Sequence, residues 1–407
     1  MSHAEQEMQS LSNARSFWQR ILCGWADRIS VGRLKLQFEG GGEHTAIGGE
    51  AGPSAVLYVR NAKSVFRILT GGTLGFAQSF MDGDLDSPDI GAVLELAVAN
   101  EHRLHKVLHP STIFGRIAHL RHKLRRNSKQ GSRRNIAFHY DLGNAFYGLW
   151  LDRTMTYSSA LYTSPSLSLA EAQEEKYARI VRELGIGAED HVLEIGCGWG
   201  GFAEYAVRTT GCRVTGLTLS VEQARFAEER LQKAGIAESV DIRLEDYRDC
   251  KGRFDKIVSI EMFEAVGEEN WPVYFKAVKE LLAPGGRAVI QTITIDEARF
   301  EGYRRNADFI QTYIFPGGML PTVSLFRRDA ESAGMQVSDC FRFGKDYDRT
   351  LLAWDAAFTA NWQQIEPLGF DRRFYRMWRL YLHYCAVGFR TGRIDVVQFR
   401  LDKPTLN

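Results

Sequence analysis

The stretch His191-Val-Leu-Glu-Ile-Gly-Cys-Gly-Trp-Gly-Gly-Phe202 decides the fold: an apolar run of strand character enters glycines at 196, 198, 200 and 201, and a helix-like segment starts at Ala203. A strand ending in residues without side chains lets a ligand lie on the backbone where the next helix begins. Downstream the pattern alternates, with a strand at 212–218, a helix at 220–234, strands at 239–244 and 254–260, a helix at 270–282 and a strand at 286–293. A charged amphipathic helix over Leu169 to Leu184 leads into the opening strand. This order predicts an α/β domain with a doubly wound, mostly parallel sheet of the Rossmann-like kind. Residues 296–325 read as an irregular, aromatic-rich insertion, followed by helices bearing Trp354, Phe358, Trp362, Trp378, Tyr381 and Tyr384, and 396–399 is expected as a last strand.

Ahead of this region the texture differs. Phe17, Ile21, Leu22, Trp25 and Ile29 suggest an amphipathic helix within 12–29, Leu34, Leu36 and Phe38 alternate, and 55–59 reads as a further strand. Helices are expected at 61–70 and 88–104, separated by Gly71-Gly72 and Met81-Asp-Gly-Asp84. Residues 1–112 are therefore expected to form a smaller N-terminal α+β domain. Residues 113–135 hold eight Lys and Arg and no Asp or Glu. A solvated linker is the plain reading of such a run, and an anionic lipid surface is the partner its charge suits best. Aromatics are too few here for stacking on single-stranded nucleic acid, and no nucleic-acid partner is expected. The remainder, 136–407, forms the third division.

The net charge of +1 indicates no partner class. Six scattered cysteines form no C-x-x-C pair, and no His cluster has metal spacing, so no metal is expected. The opening residues lack a basic start followed by an apolar core, and nowhere do about twenty apolar residues run together. The chain reads as neither secreted nor membrane-spanning, and a cytoplasmic protein, peripheral on the inner face of the membrane, is expected.

Nicotinamide, flavin and S-adenosylmethionine (AdoMet) sites all begin with glycines of this kind. A dinucleotide site would place an acidic residue at the end of the second strand, where Leu217-Thr-Leu-Ser220 stands instead. Here the acidic groups are Glu194, inside the first strand, and Glu245-Asp246, followed by Tyr247, closing the third. Glu194 suits the glycine loop and the cofactor's ammonium, and Asp246 and Tyr247 suit an adenine, so AdoMet is the expected cofactor.

The segments HYDLGNAFYGLWLDRTMTYSSALY, VLEIGCGWGGFA, GLTLSVEQ, MFEAVG, YIFPGGMLP and DYDRTLLAW occur in that order from residue 139 to residue 354. Together they resemble the cyclopropane-fatty-acid synthase (mycolic acid cyclopropane synthase) family of AdoMet-dependent methyltransferases. The first domain resembles, more loosely, the lipid-engaging domain of the bacterial phospholipid enzymes, through the pattern ending Phe80-Met-Asp-Gly-Asp84. The resemblance implies transfer of a one-carbon unit to the double bond of unsaturated acyl chains in membrane phospholipids. An olefin C-methyltransferase making methyl- or methylene-branched chains is the alternative, and small-molecule N-methyltransferases sharing the fold are a further one. A homodimer is compatible with this reading.

Residue by residue, the resemblance implies AdoMet contacts at Tyr157, Ser158, Gly196, Gly198, Thr218, Leu219, Gln223 and Tyr247, beside Glu194 and Asp246. His139 and Tyr140 are expected to line the acyl channel. In the family a bound bicarbonate is thought to act as base, held by a Cys, a Glu, a His, an Ile backbone and a Tyr. Here the Glu falls on Glu264, the Ile on Ile293 and the Tyr on Tyr347, but Ser159 stands in place of the Cys and Gln291 in place of the His. Ser and Gln donate hydrogen bonds to an anion, and neither replaces an imidazole that takes up a proton.

Overall fold

The computed structural model describes residues 16–108 and 142–405. The basic segment 113–135 and both expected channel residues, His139 and Tyr140, lie outside the described residues. The chain divides into two compact units, and Phe370–Val387 belong with the first of them. A division strictly along the chain, with 136–407 as one run, does not contain that exchange.

In the first unit, helix α1 (Phe17–Ala26) is opened by a capping box in which Ser16 and Gln19 bond each other's backbone. Strands β1 (Val31–Phe38), β2 (Glu43–Ile47) and β3 (Glu50–Val59) follow, then helix α2 (Lys63–Met81), strand β4 (Leu85–Asp86), and helices α3 (Ile90–Ala99) and α4 (Glu101–Leu108). The sheet order is β2-β1-β3-β4. Helix α2 extends eleven residues beyond the expected end at residue 70, with a kink at Gly72. The expected helix 88–104 is instead two helices broken at Asn100. The buried Asn100 side chain accepts from the Ser30 and Val31 amides and donates to the Val31 and Leu96 carbonyls, fixing the break to β1.

The second unit carries helix α5 (Leu169–Leu184), β5 (His191–Ile195), α6 (Gly201–Thr210), β6 (Arg213–Thr218), α7 (Val221–Lys233), β7 (Val240–Leu244), β8 (Phe254–Ile260), α8 (Trp271–Leu281) and β9 (Leu282–Ile295). Local signals set these ends. Ser168 and Glu171 cap α5 reciprocally, left-handed Gly185 closes it, and Ser220 caps α7. After β9 come α9 (Glu297–Arg305), α10 (Val323–Ser332), β10 (Gln336–Arg342), α11 (Gly344–Ala360) and, after α12 (Arg372–Arg390), which through Val387 belongs with the first unit, β11 (Ile394–Asp402). The span 296–325 is thus less irregular than the sequence suggests, holding α9 and a π-helical turn at Ile310–Ile314. Strand β10 is an addition to the sequence reading.

The seven strands run β10-β11-β9-β8-β5-β6-β7. Neighbours from β9 to β7 are parallel, and β11 is antiparallel to both β9 and β10. From β5 the chain winds outward through β6 and β7, then returns to β8 on β5's other side. Beyond the carboxyl ends at such a reversal open α/β sheets hold their ligands. One face is sealed by Phe263, Phe275, Phe326 and Phe399, the last two stacked at 3.9 Å. The other is sealed by Ile180, Phe202, Val207 and their neighbours from α5 and α6.

Candidate active site

A pocket opens at the carboxyl ends of β5, β6, β7 and β8. All ten residues that the sequence reading gave to the cofactor line it: Tyr157, Ser158, Glu194, Gly196, Gly198, Thr218, Leu219, Gln223, Asp246 and Tyr247. Gly196 has φ 87, and a Cβ added there would lie 2.9 Å from the Met262 side chain, so this turn admits no larger residue without displacement. Thr218 Oγ1 donates to Gln223 Oε1 at 2.9 Å, which orients the glutamine, while the cap of α7 comes from Ser220. Asp246 pairs with Arg248 through both carboxylate oxygens.

The wall is rich in carboxylates. Glu194 is buried at the end of β5, and its Oε2 has no hydrogen-bond partner among the described residues. Burial raises its pKa well above the usual carboxylate range. Lys176, fully buried on α5, donates to Ser158 Oγ at 2.6 Å and to Gln173 Oε1 at 2.7 Å, and Gln173 returns a bond to the Ser158 carbonyl. Ser158 is thus held from both sides. Burial pushes the Lys176 ammonium down to about 7 against the opposing pull of Glu261 and other carboxylates. Glu194, with one oxygen unpartnered among the described residues, therefore faces a weakened cation in the pocket wall, an environment that favours a positively charged ligand. The buried hydroxyl of Tyr247 also has no hydrogen-bond partner among the described residues. Both orphaned groups suit AdoMet, with its sulfonium, ammonium and adenine, and the cradle at Gly196 and Gly198 suits close backbone approach.

The five residues expected around an anion divide into two linked sets. Glu264 Oε1 accepts the Ile293 amide at 2.6 Å. Ser159, Gln291 and Tyr347 instead converge on a residue the sequence reading passed over, Glu261. Its Oε1 accepts from the Ser159 amide and from Gln291 Nε2, both at 2.8 Å, and its Oε2 accepts from the Tyr347 hydroxyl at 2.6 Å. Ser159 contributes its backbone here, since its hydroxyl turns to the Ala160 carbonyl. Gln291 is oriented by Gln398, which donates to its Oε1 at 3.0 Å. Glu261 follows directly on β8, as Glu194 stands within β5, and that parallel was the signal available in the sequence.

Burial and the neighbouring Glu261 push Glu264 up to about 8 from 4.5. The folded protein therefore holds a proton that the unfolded chain releases between about 4.5 and about 8. The sign follows: the protonated carboxyl's contribution is complete below the unfolded value and is lost as pH rises through the folded one. The melting temperature of wild type is expected to fall more steeply across this interval than that of Glu264→Gln. Parallel melting curves against pH would refute the assignment.

Tyr157 in the pocket wall is packed into a cluster of aromatic rings. Tyr157 lies 5.5 Å from Tyr147 and Trp150 and 5.3 Å from Trp354, and Trp354 also meets Tyr347 at 6.0 Å. Among the described residues, no group of His, Cys, Asp and Glu is placed to hold a metal.

With this geometry, comparison with known proteins is direct. Residues 127–399 match the family model described as mycolic acid cyclopropane synthetase. The chain is 38% identical over 383 residues to the tuberculostearic acid methyltransferase of Mycobacterium tuberculosis, covering 90% of this chain and 87% of that protein. It is 37% identical over 358 residues to the cyclopropane-fatty-acyl-phospholipid synthase of Escherichia coli, covering 87% and 88% of the two. The crystal structure of mycolic acid cyclopropane synthase CmaA1 complexed with SAH and CTAB superposes with a TM-score of 0.63 at 33% identity, covering 67% of this chain and 98% of that one. A sheet wound out from β5, a carboxylate-lined pocket fitted to AdoMet and a match of this extent lead to one conclusion: the chain belongs to the mycolic acid cyclopropane synthetase family and is an AdoMet-dependent methyltransferase.

Proposed function

We propose that the enzyme transfers the AdoMet methyl carbon to the double bond of an unsaturated acyl chain in a membrane phospholipid. The observation that carries this reading is a carboxylate, Glu261, fixed at the pocket wall beside the aromatic cluster that holds Tyr157. AdoMet, when bound, supplies an electrophilic methyl group on a sulfonium. An isolated alkene is a weak nucleophile, so the chain must hold it in line and exclude water. Attack leaves a positive carbon. The face of Tyr157, in the pocket wall and backed by Trp354, can stabilise such a cation without trapping it as an alcohol. The relatives named for acyl-chain methylation and cyclopropanation support this substrate class.

Loss of the proton from the added carbon with ring closure gives a cyclopropane, the family's default product. A methyl- or methylene-branched chain is the second reading. It is supported by Ser159 and Gln291, which hold a protein carboxylate here, and by the similarity to a tuberculostearic acid methyltransferase. In the first unit Phe66 and Leu69, one helical turn apart on α2, are 66% and 46% exposed, and such apolar groups suit a lipid surface. No helix among the described residues is long and apolar enough to cross a membrane. A peripheral association with the inner leaflet, through this unit, is the arrangement we favour.

Expression in a host without such enzymes tests the assignment. Phospholipid acyl chains should gain one CH2 at the double bond, seen by mass spectrometry, and proton NMR then separates a ring from an exocyclic methylene. Unchanged lipids in cells containing folded, AdoMet-binding protein would overturn it. Asp at both 66 and 69 should reduce activity on vesicles more than on detergent-dispersed lipid.

A further inference from the structure

We propose that Glu261 is the base of this enzyme, a carboxylate built into the chain where a captured small anion would otherwise be required. The inference rests on the alkene-methylation reading above and names the group that completes it.

Four observations converge on this residue. Glu261 lines the cofactor pocket, with part of its surface open to it. Its backbone is left-handed, φ 50; among the described residues only Met155, also in the pocket wall, shares this among non-glycines. Such a conformation costs a non-glycine residue about 1–3 kcal/mol and persists where the surroundings over-determine it. Those surroundings are three donors on separate elements, the Ser159 amide, Gln291 and Tyr347, which fix both carboxylate oxygens. A carboxylate accepts about four hydrogen bonds, so three donors leave one lone pair, on Oε2. Ser159, Gln291 and Tyr347 are themselves buried, so the donors that would close on a free anion are already engaged.

The step balances within the chain and its substrate. After methyl transfer the substrate carries a positive carbon next to the methylated one. Oε2 of Glu261 takes a proton from the substrate, and the electrons of the broken C–H bond form the new C–C or C=C bond. The carboxylate becomes a carboxylic acid, the product is neutral at that site, and the proton passes to solvent after release. No oxidant or reductant enters.

Glu261→Gly is the informative variant, because glycine accepts φ 50 without strain and leaves a space the size of a small carboxylate. General-base contributions are typically about 100-fold or more. Turnover of Glu261→Gly and Glu261→Gln should fall by that order. Formate or bicarbonate should restore Glu261→Gly in a concentration-dependent way and leave Glu261→Gln and wild type unmoved. Calorimetry should give AdoMet affinities for both variants within a few-fold of wild type. A second measurement needs no turnover: with S-adenosylhomocysteine bound, Glu261→Gly should bind formate and wild type should not.

The proposal is overturned if either variant keeps wild-type turnover, if wild type binds or is stimulated by bicarbonate, or if AdoMet affinity falls as far as turnover. The last result would make Glu261 a counter-charge for the cofactor. Wild type that binds no formate yet methylates no unsaturated lipid would overturn the substrate reading and leave the filled anion site standing.

Discussion

Asparagine at position 198 is expected to abolish AdoMet binding while leaving the protein folded. Gly198 has φ 52, and a Cβ added there meets no protein atom within 4 Å, although the residue lines the pocket. Asparagine tolerates left-handed backbone better than other side chains, so the fold bears little cost. Its amide would occupy space the ligand needs. Affinity measured by calorimetry should fall by roughly 100-fold or more, about 3 kcal/mol, with the melting temperature nearly unchanged. Full affinity in Gly198→Asn would mean that the cofactor does not lie along this turn.

The second large effect concerns the aromatic cluster. Trp354 on α11 is fully buried and meets Trp150, Tyr157 and Tyr347 at centroid distances of 5.7, 5.3 and 6.0 Å. Truncation of such a residue leaves a cavity that these rings cannot fill, and Trp354→Ala should cost about 3–5 kcal/mol in urea unfolding. Tyr157 and Tyr347 both lean on this ring, so cofactor affinity and turnover should fall as well, even under conditions where the variant remains folded. A loss below about 1 kcal/mol, far from the usual range, would show that the cluster is not the structural centre of this site.

Much of this architecture is written locally in the sequence. The glycines after Ile195, the Ser168 and Glu171 pair and the regular strand-helix alternation act over a few residues, and β5 through β9 follow from them. The ten pocket-lining positions were legible because each follows a strand or stands in a recognised motif. Glu261 was not. Its three partners are 102, 30 and 86 residues away in sequence, so its environment exists only after folding. The family motif instead points three residues further on, to Glu264, which accepts the Ile293 amide. The allocation of Phe370–Val387 to the first unit was likewise hidden, since amphipathic periodicity shows that a helix buries a face and not which unit receives it.

Strand β11 has a consequence for how the molecule is made. It is encoded at 394–402, yet it lies inside the sheet, pairing with β9 along nine residues and with β10 on its other edge. During synthesis the glycine turn and the cofactor strands emerge long before it, so for that interval β9 presents an open edge able to pair with another nascent chain. Gln398, which orients Gln291, arrives with the same strand. Ribosomal stalling or proteolytic loss ahead of residue 394 would thus yield a species with its cofactor seat encoded, its reactive wall unfinished and an adhesive edge, a natural substrate for cellular quality control.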